Sequence, residues 1–285
     1  MRSIVLLFCL WLGLTSAQAA TPSDTDIDAL LQASGMQAQL DQIPAALQIA
    51  GQQQNGLGAG IVKPLADALR SVFNPADMEQ IMTRELARDL DSATLTEAMR
   101  WFKTDAAKKI LAGEQRMTDP SVMDRISEAT DKQQVPGLTE TRRQLLLDVD
   151  NATSATDAAL DMMMNMQAAF LTAFSHLLMP DQANEFSATL ASFAATRDQY
   201  RDDLQAQFLL QQAILMEDVT DDELRQWRDF ARTEAGSKTV KALNHALDVT
   251  LRSVAERIPA AMIREEQARQ PAQRSAPAVP ADTAD

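Results

Sequence analysis

The sequence predicts an all-α protein of two related multi-helix halves packed as helical bundles, with a long C-terminal helix. Three observations carry that expectation. Val240, Leu243, Leu247, Leu251, Val254, Ile258 and Met262 hold helical spacing over about six turns. Asn74-Pro75 is a helix-restart signal, Asn as cap and Pro at the first helical position, and Asp119-Pro120 punctuates the chain further on. The stretch from Ser92 to Lys109, SATLTEAMRWFKTDAAKK, returns without a gap 129 positions later as DDELRQWRDFARTEAGSK, Asp221 to Lys238.

At that offset Leu95 matches Leu224, Thr104 matches Thr233, Ala106 matches Ala235 and Lys109 matches Lys238. Trp101 lies opposite Phe230, and Asp105 opposite Glu234. In each copy a capping acid or hydroxyl precedes a first helix, and an aromatic follows the leucine by six positions. Thr104 or Thr233 then caps a second helix, with an acid in its first turn favoured by the helix dipole. Ala106 and Ala107, or Ala235 and Gly236, let that helix begin close against the first. Each copy reads as a tight helical elbow with its aromatic inside it. Gly236 costs about 1 kcal/mol in helix propensity relative to alanine, and close packing is the reason expected for it. Trp101, Thr104, Lys109, Phe230, Thr233, Gly236 and Lys238 are therefore structural candidates.

This pattern, with the earlier LLQASGMQAQLDQI, resembles the bacterial domain-of-unknown-function 2059 family, in two divergent copies. The family's signature is similar: a leucine-led helix, an aromatic, Ser/Thr-Pro, then small-Gly-x-Lys. The second copy keeps Thr233, Gly236 and Lys238, with Glu234 at the proline place; the first keeps Thr104 and Lys109, with Asp105 and Ala107 at the proline and glycine places. The resemblance is clear over 220–245 and fainter over 24–115. It implies a secreted or periplasmic all-helical protein and transfers no catalytic residue.

Taken in order, the chain opens with a secretory signal pattern: Arg2, an apolar run from Ile4 to Leu14, and Ala17-Gln18-Ala19 as the cleavage site. The expected divisions are 1–19 signal peptide, 20–135 first helical repeat, 136–270 second, and 271–285 a disordered Ala/Pro-rich tail. Cleavage would remove the one cysteine, Cys9, and with it any disulfide or thiolate chemistry. A first helix is capped near Ser23 or Asp24 and stopped by Gly35; a second starts near Gln37, with Pro44 as a kink or restart. Gly51 to Gly60 reads as a loop, and its glycine spacing lacks the strand and Lys-Ser/Thr ending of a phosphate cradle. A helix over 64–73 leads to Asn74-Pro75, and the first elbow runs into a helix ending near Met117. The halves divide near Pro136. Asp148-x-Asp150 fails as a calcium loop, because Ala152, Thr153 and Ala159 stand where ligands or glycine are required.

From Asp157 to Met179 runs the most apolar stretch of the chain after the signal. Its polar residues Asp161, Asn165, Thr172 and Ser175 keep to one narrow stripe, which argues for a nearly buried helix rather than a membrane span. Met162, Met163 and Met166, with Phe170 and Phe174, form the candidate binding face, an adaptable apolar groove; core packing and thioether copper binding are the competing readings. A helix containing Phe186, Leu190 and Phe193 follows Pro180, then one with Tyr200, Leu204, Phe208 and Leu215 on one side.

With 26 basic against 40 acidic residues the net charge is −14. Such acidity argues against nucleic acid or an anionic membrane as partner. His176 and His245 form no metal-binding pair, no nucleophile elbow is present, and no cofactor is expected. The function read from these residues is non-catalytic interaction with a protein or envelope partner in the periplasm. A carrier of a small apolar ligand or lipid in a Met-lined pocket is the alternative, and a hydrolase built on two convergent carboxylates the third reading.

Overall fold

The computed structural model describes residues 21–41, 67–178 and 197–274, and among these every regular element is a helix. α1 is Asp24–Ala33; α2 is described over 36–41 and α3 over 67–72. There follow α4 (Pro75–Asp89), α5 (Ser92–Phe102), α6 (Asp105–Gln115), a 3₁₀ turn (Arg116–Thr118), α7 (Pro120–Lys132) and α8 (Glu140–Thr153). The chain closes with α9 (Ala155–Leu178), α10 (Arg197–Leu215), α11 (Asp221–Arg232) and α12 (Glu234–Arg274). The signal pattern, the loop over 51–60, Pro44 and the 186–193 segment lie outside the described residues.

Local chemistry sets the helix starts. Ser23 and Asp26 form a capping box for α1, and Thr220 with Glu223 forms one for α11. Asn74 accepts from the Ala76 N–H at 3.1 Å ahead of Pro75, and Asp119 from the Ser121 N–H at 2.9 Å ahead of Pro120. Gly35, with φ of +76°, ends α1; a Cβ there would also lie 2.2 Å from Leu111 Cδ1, so the α1–α2 turn presses on α6. Ser154, at φ 52°, divides α8 from α9. The Asp150 side chain spans that break, accepting from the N–H and hydroxyl of Thr156, both at 2.9 Å. The residue weighed for calcium thus serves the backbone.

Two hydrophobic cores result. One gathers Ile27, Leu30 and Leu31 of α1, Met78, Met82 and Leu86 of α4, and Leu95 and Ala98 of α5 around Ala242, Ala246, Val254 and Ala261 of α12. The other joins Ile110 of α6, Val122 and Ile126 of α7, and Leu145 and Val149 of α8 to Leu209, Ile214 and Leu224 of α10 and α11. Both packing units cut across Pro136, since each draws helices from either side of it. α9 lies chiefly along α12. Within α10 the expected apolar side holds at Leu215, which is buried, and at half-buried Leu204 and Phe208, but not at Tyr200, which is 45% exposed; Leu209, Ala213 and Ile214 are buried as well. α10 packs against α7, α8 and α9 together, so more than one of its faces is covered. α12 runs through Pro259 and continues to Arg274, four residues into the segment expected to be a disordered tail.

The two elbows have matching hydrogen bonds. Thr104 donates from its N–H (2.9 Å) and hydroxyl (2.8 Å) to the Trp101 carbonyl, and accepts from the Ala107 N–H at 3.2 Å. Thr233 donates to the Phe230 carbonyl at 2.9 and 2.7 Å and accepts from the Gly236 N–H at 3.0 Å. The aromatics, however, are not inside their own elbows. Trp101 stacks on Phe230 between the elbows, ring centroids 4.9 Å apart and planes 11° from parallel. Stacking covers a face of each half-buried ring, and in the second elbow a Cβ on Gly236 would sit 1.9 Å from the Phe230 carbonyl oxygen, so that elbow's inner angle is tightly closed. Each ring leaves its elbow and meets the other.

The rest of the joint is reciprocal. Lys109 of α6 donates to Glu223 at the start of α11, at 2.6 Å, and Lys238 of α12 donates to Asp91, the cap of α5. α12 packs on α5, and α11 packs on α6. This exchange explains why the cores cross the chain's midpoint.

Candidate functional site

Met162 and Met163 are half-buried on α9 and Met166 is 38% exposed; the side chains of Phe170 and Phe174 lie outside the described residues. The polar stripe of α9 turns toward α12: Asn165 donates to Asp248 at 3.1 Å, and Asn165, Ala168 and Thr172 share a cleft with Arg252 and Glu256. None of the three described methionines lines a described cavity. His245, on α12, lies 2.7 Å from Asp89 through Nδ1 on an exposed surface, and the His176 side chain lies outside the described residues. Among the described residues no group of three or more His, Cys, Asp or Glu side chains stands together to hold a metal ion, and no helix is long and apolar enough to cross a membrane.

The chemically unusual place is the far end of α6. Gly113 brings that helix against α10 so closely that a Cβ would lie 2.6 Å from the Leu215 carbonyl oxygen. On the other side the Gly35 turn presses on Leu111. Between these two contacts a cavity of about 280 Å³ remains, lined by Gly35, Leu111, Glu114, Met117, Gln212 and Leu215, with exposed Gln39 and Gln115 at its rim. The end of α10 is fixed beside it by charged side chains. Glu217 receives Arg116 at 2.5 Å and Arg125 at 2.7 Å, which hold its carboxyl down at about 2. Arg142 donates to the carbonyls of Met216 and Val219, at 2.6 and 2.8 Å, and to Asp221.

Glu114 has none of this company. It occupies the last turn of α6, where a carboxylate opposes the helix dipole, and no described side chain bonds to it. Glu114 is half-buried, and the protein packed around it pushes its carboxyl up from 4.5 to about 7. Gln212, on the facing wall, has a buried Oε1 that accepts no hydrogen bond from the protein. Gln212 also lines a smaller, largely apolar cavity of about 80 Å³ with Phe208 and Trp227. The site therefore combines an unpaired acid, the amide side chains of Gln39, Gln115, Gln211 and Gln212, and an apolar floor.

Sequence reasoning did not single out Glu114 or Gln212. One trace was available: Glu114 has Ile110, Leu111, Met117 and Thr118 at its helical neighbour positions, so no cation can reach it along its own helix.

Residues 65–133 match the DUF2059 family, described as an uncharacterized protein conserved in bacteria. The matched stretch contains the first elbow and Glu114, so the resemblance holds in the part where it read fainter; the second elbow lies beyond the match. No curated protein and no solved structure matches the chain.

Proposed function

We propose that this protein is a non-catalytic binding protein of the bacterial envelope, and that it holds a small ligand in the cavity at the end of α6. One observation carries the reading: Glu114, a carboxyl that no described side chain bonds, lines a cavity whose other described lining residues are uncharged, so its raised pKa is a cost to the fold with no structural return. A cavity of about 280 Å³ is at the small end of ordinary ligand pockets, about 300–1,000 Å³, which suits a small ligand. The periplasmic location is supported by Arg2, the apolar run Ile4 to Leu14 and the Ala17-Gln18-Ala19 pattern.

Native mass spectrometry of protein purified from its own periplasm tests this. A non-covalent small-molecule adduct is expected on the wild type, and its loss is expected in Ala38→Phe, which fills the cavity from α2. A bare wild-type mass under gentle ionisation contradicts the proposal.

A second reading has one observation in its favour: Met166 is exposed beside half-buried Met162 and Met163. An envelope protein docking there would be captured less by a Met162→Ala/Met166→Ala variant, with the melting temperature preserved.

A further inference from the structure

The cavity's lining also says what kind of ligand it suits, on the premise that it is a ligand site. We infer that the ligand is a small primary amine with a short aliphatic body, its ammonium group received by Glu114. Glu114 lines the cavity, and no described side chain bonds to it. An ionised Glu114 is an acceptor only and needs a donor. A desolvated carboxylate is relieved in two ways, by taking a proton or by meeting a cation. An ammonium brings the charge and three N–H groups together. The surplus N–H groups find carbonyl oxygens among Gln39, Gln115 and Gln211.

The surroundings favour a cation over an anion. Among the described residues, Glu114 is the only titratable side chain lining the cavity, whether from the α1–α2 turn, α6, the 3₁₀ turn or α10. Arg116, two residues on, is engaged by Glu217 and Asp218 on the α10–α11 turn. No lysine or arginine of the lining repels an ammonium or neutralises Glu114 in its place. Leu111, Met117, Leu215 and Ala38 supply the apolar wall against which a short hydrocarbon chain loses its water. Ligand binding and proton loss from Glu114 are then one event: the ammonium binds the ionised form, so affinity rises as pH climbs through about 7.

Isothermal titration calorimetry of the full chain with hexylamine, hexan-1-ol and hexanoate, at pH 6 and pH 8, is the test. Hexylamine is expected to bind about tenfold more tightly at pH 8 than at pH 6, following the ionised fraction of a group with a pKa near 7. Glu114→Gln is expected to weaken it at least tenfold at pH 8 while keeping its helical circular-dichroism spectrum. Equal binding of hexan-1-ol, preference for hexanoate, or unchanged hexylamine affinity in Glu114→Gln overturns the inference. An adduct seen by native mass spectrometry without binding of hexylamine overturns the amine assignment and leaves the cavity a ligand site. Absence of both overturns the two readings together.

Discussion

α6 begins and ends in opposite conditions, and eleven residues separate them. At its start, in the joint between the elbows, Thr104 bonds both ways, Lys109 reaches Glu223, and Trp101 stacks on Phe230. At its end, Glu114 lines a cavity and no described side chain bonds to it. The first end is built like a core, where paired groups fix one arrangement. The second keeps an acid under-satisfied, which a protein tolerates where something else is to be bound. Stability belongs to the joint, and the proposed binding to the cavity.

The largest effect that sharpens this contrast is expected at Gly236. Gly236→Leu forces a side chain onto the Phe230 carbonyl, a backbone atom that cannot swing aside, and should cost about 3 kcal/mol in urea unfolding. At the matching position Ala107 already carries a methyl with the same threonine bonds, so Ala107→Gly should cost only about 1 kcal/mol. A Gly236→Leu variant that melts like wild type would remove the close approach as an explanation of the glycine.

An effect of opposite sign is expected at the other end of α6. Because the folded-state carboxyl of Glu114 lies above its unfolded value, it does not weaken the fold below pH 4.5. As pH rises from there to about 7, the unfolded state ionises first and the fold loses stability, on the order of 2–3 kcal/mol by pH 8. Glu114→Gln should therefore be stabilising at pH 8 and neutral at pH 4, read by thermal unfolding at each pH. Glu217 behaves in the reverse sense: its contribution is present above 4.5 and fades as pH falls toward 2.

Trp101→Ala comes next, at about 2 kcal/mol for a half-buried ring. A double-mutant cycle with Phe230→Ala should return a coupling of about 1 kcal/mol, the value of a stacked pair. Zero coupling would mean the rings do not hold the elbows together. The smallest effects belong to the crossed lysines. Lys109→Met and Lys238→Met should each cost under about 1 kcal/mol, because both ammonium groups are well exposed, and less still in 0.5 M salt, by roughly the screening expected there.

The helices, their caps and the elbows' internal bonds were legible in the sequence because they depend on residues within four positions of one another. Ser23, Asn74 and Thr220 each announce a helix start through chemistry that acts locally. What was not legible depends on residues about a hundred positions apart. Lys109 and Glu223 carry no sign of each other in sequence, and nothing local says that Trp101 stacks on Phe230. The cavity is hidden for the same reason. Gly113 offers a small residue in a helix, but only the meeting of α6, α10 and the Gly35 turn makes Glu114 a desolvated acid. The methionines drew attention by composition, whereas Glu114 is one acid among many and differs only in its surroundings.

The account rests on Glu114 being a carboxyl without a partner in protein surroundings, and a site-resolved ¹³C NMR titration of its side chain addresses that directly. A midpoint near 7 is the predicted result; a midpoint at the ordinary value of 4.5 would show a solvated or paired acid and contradict it.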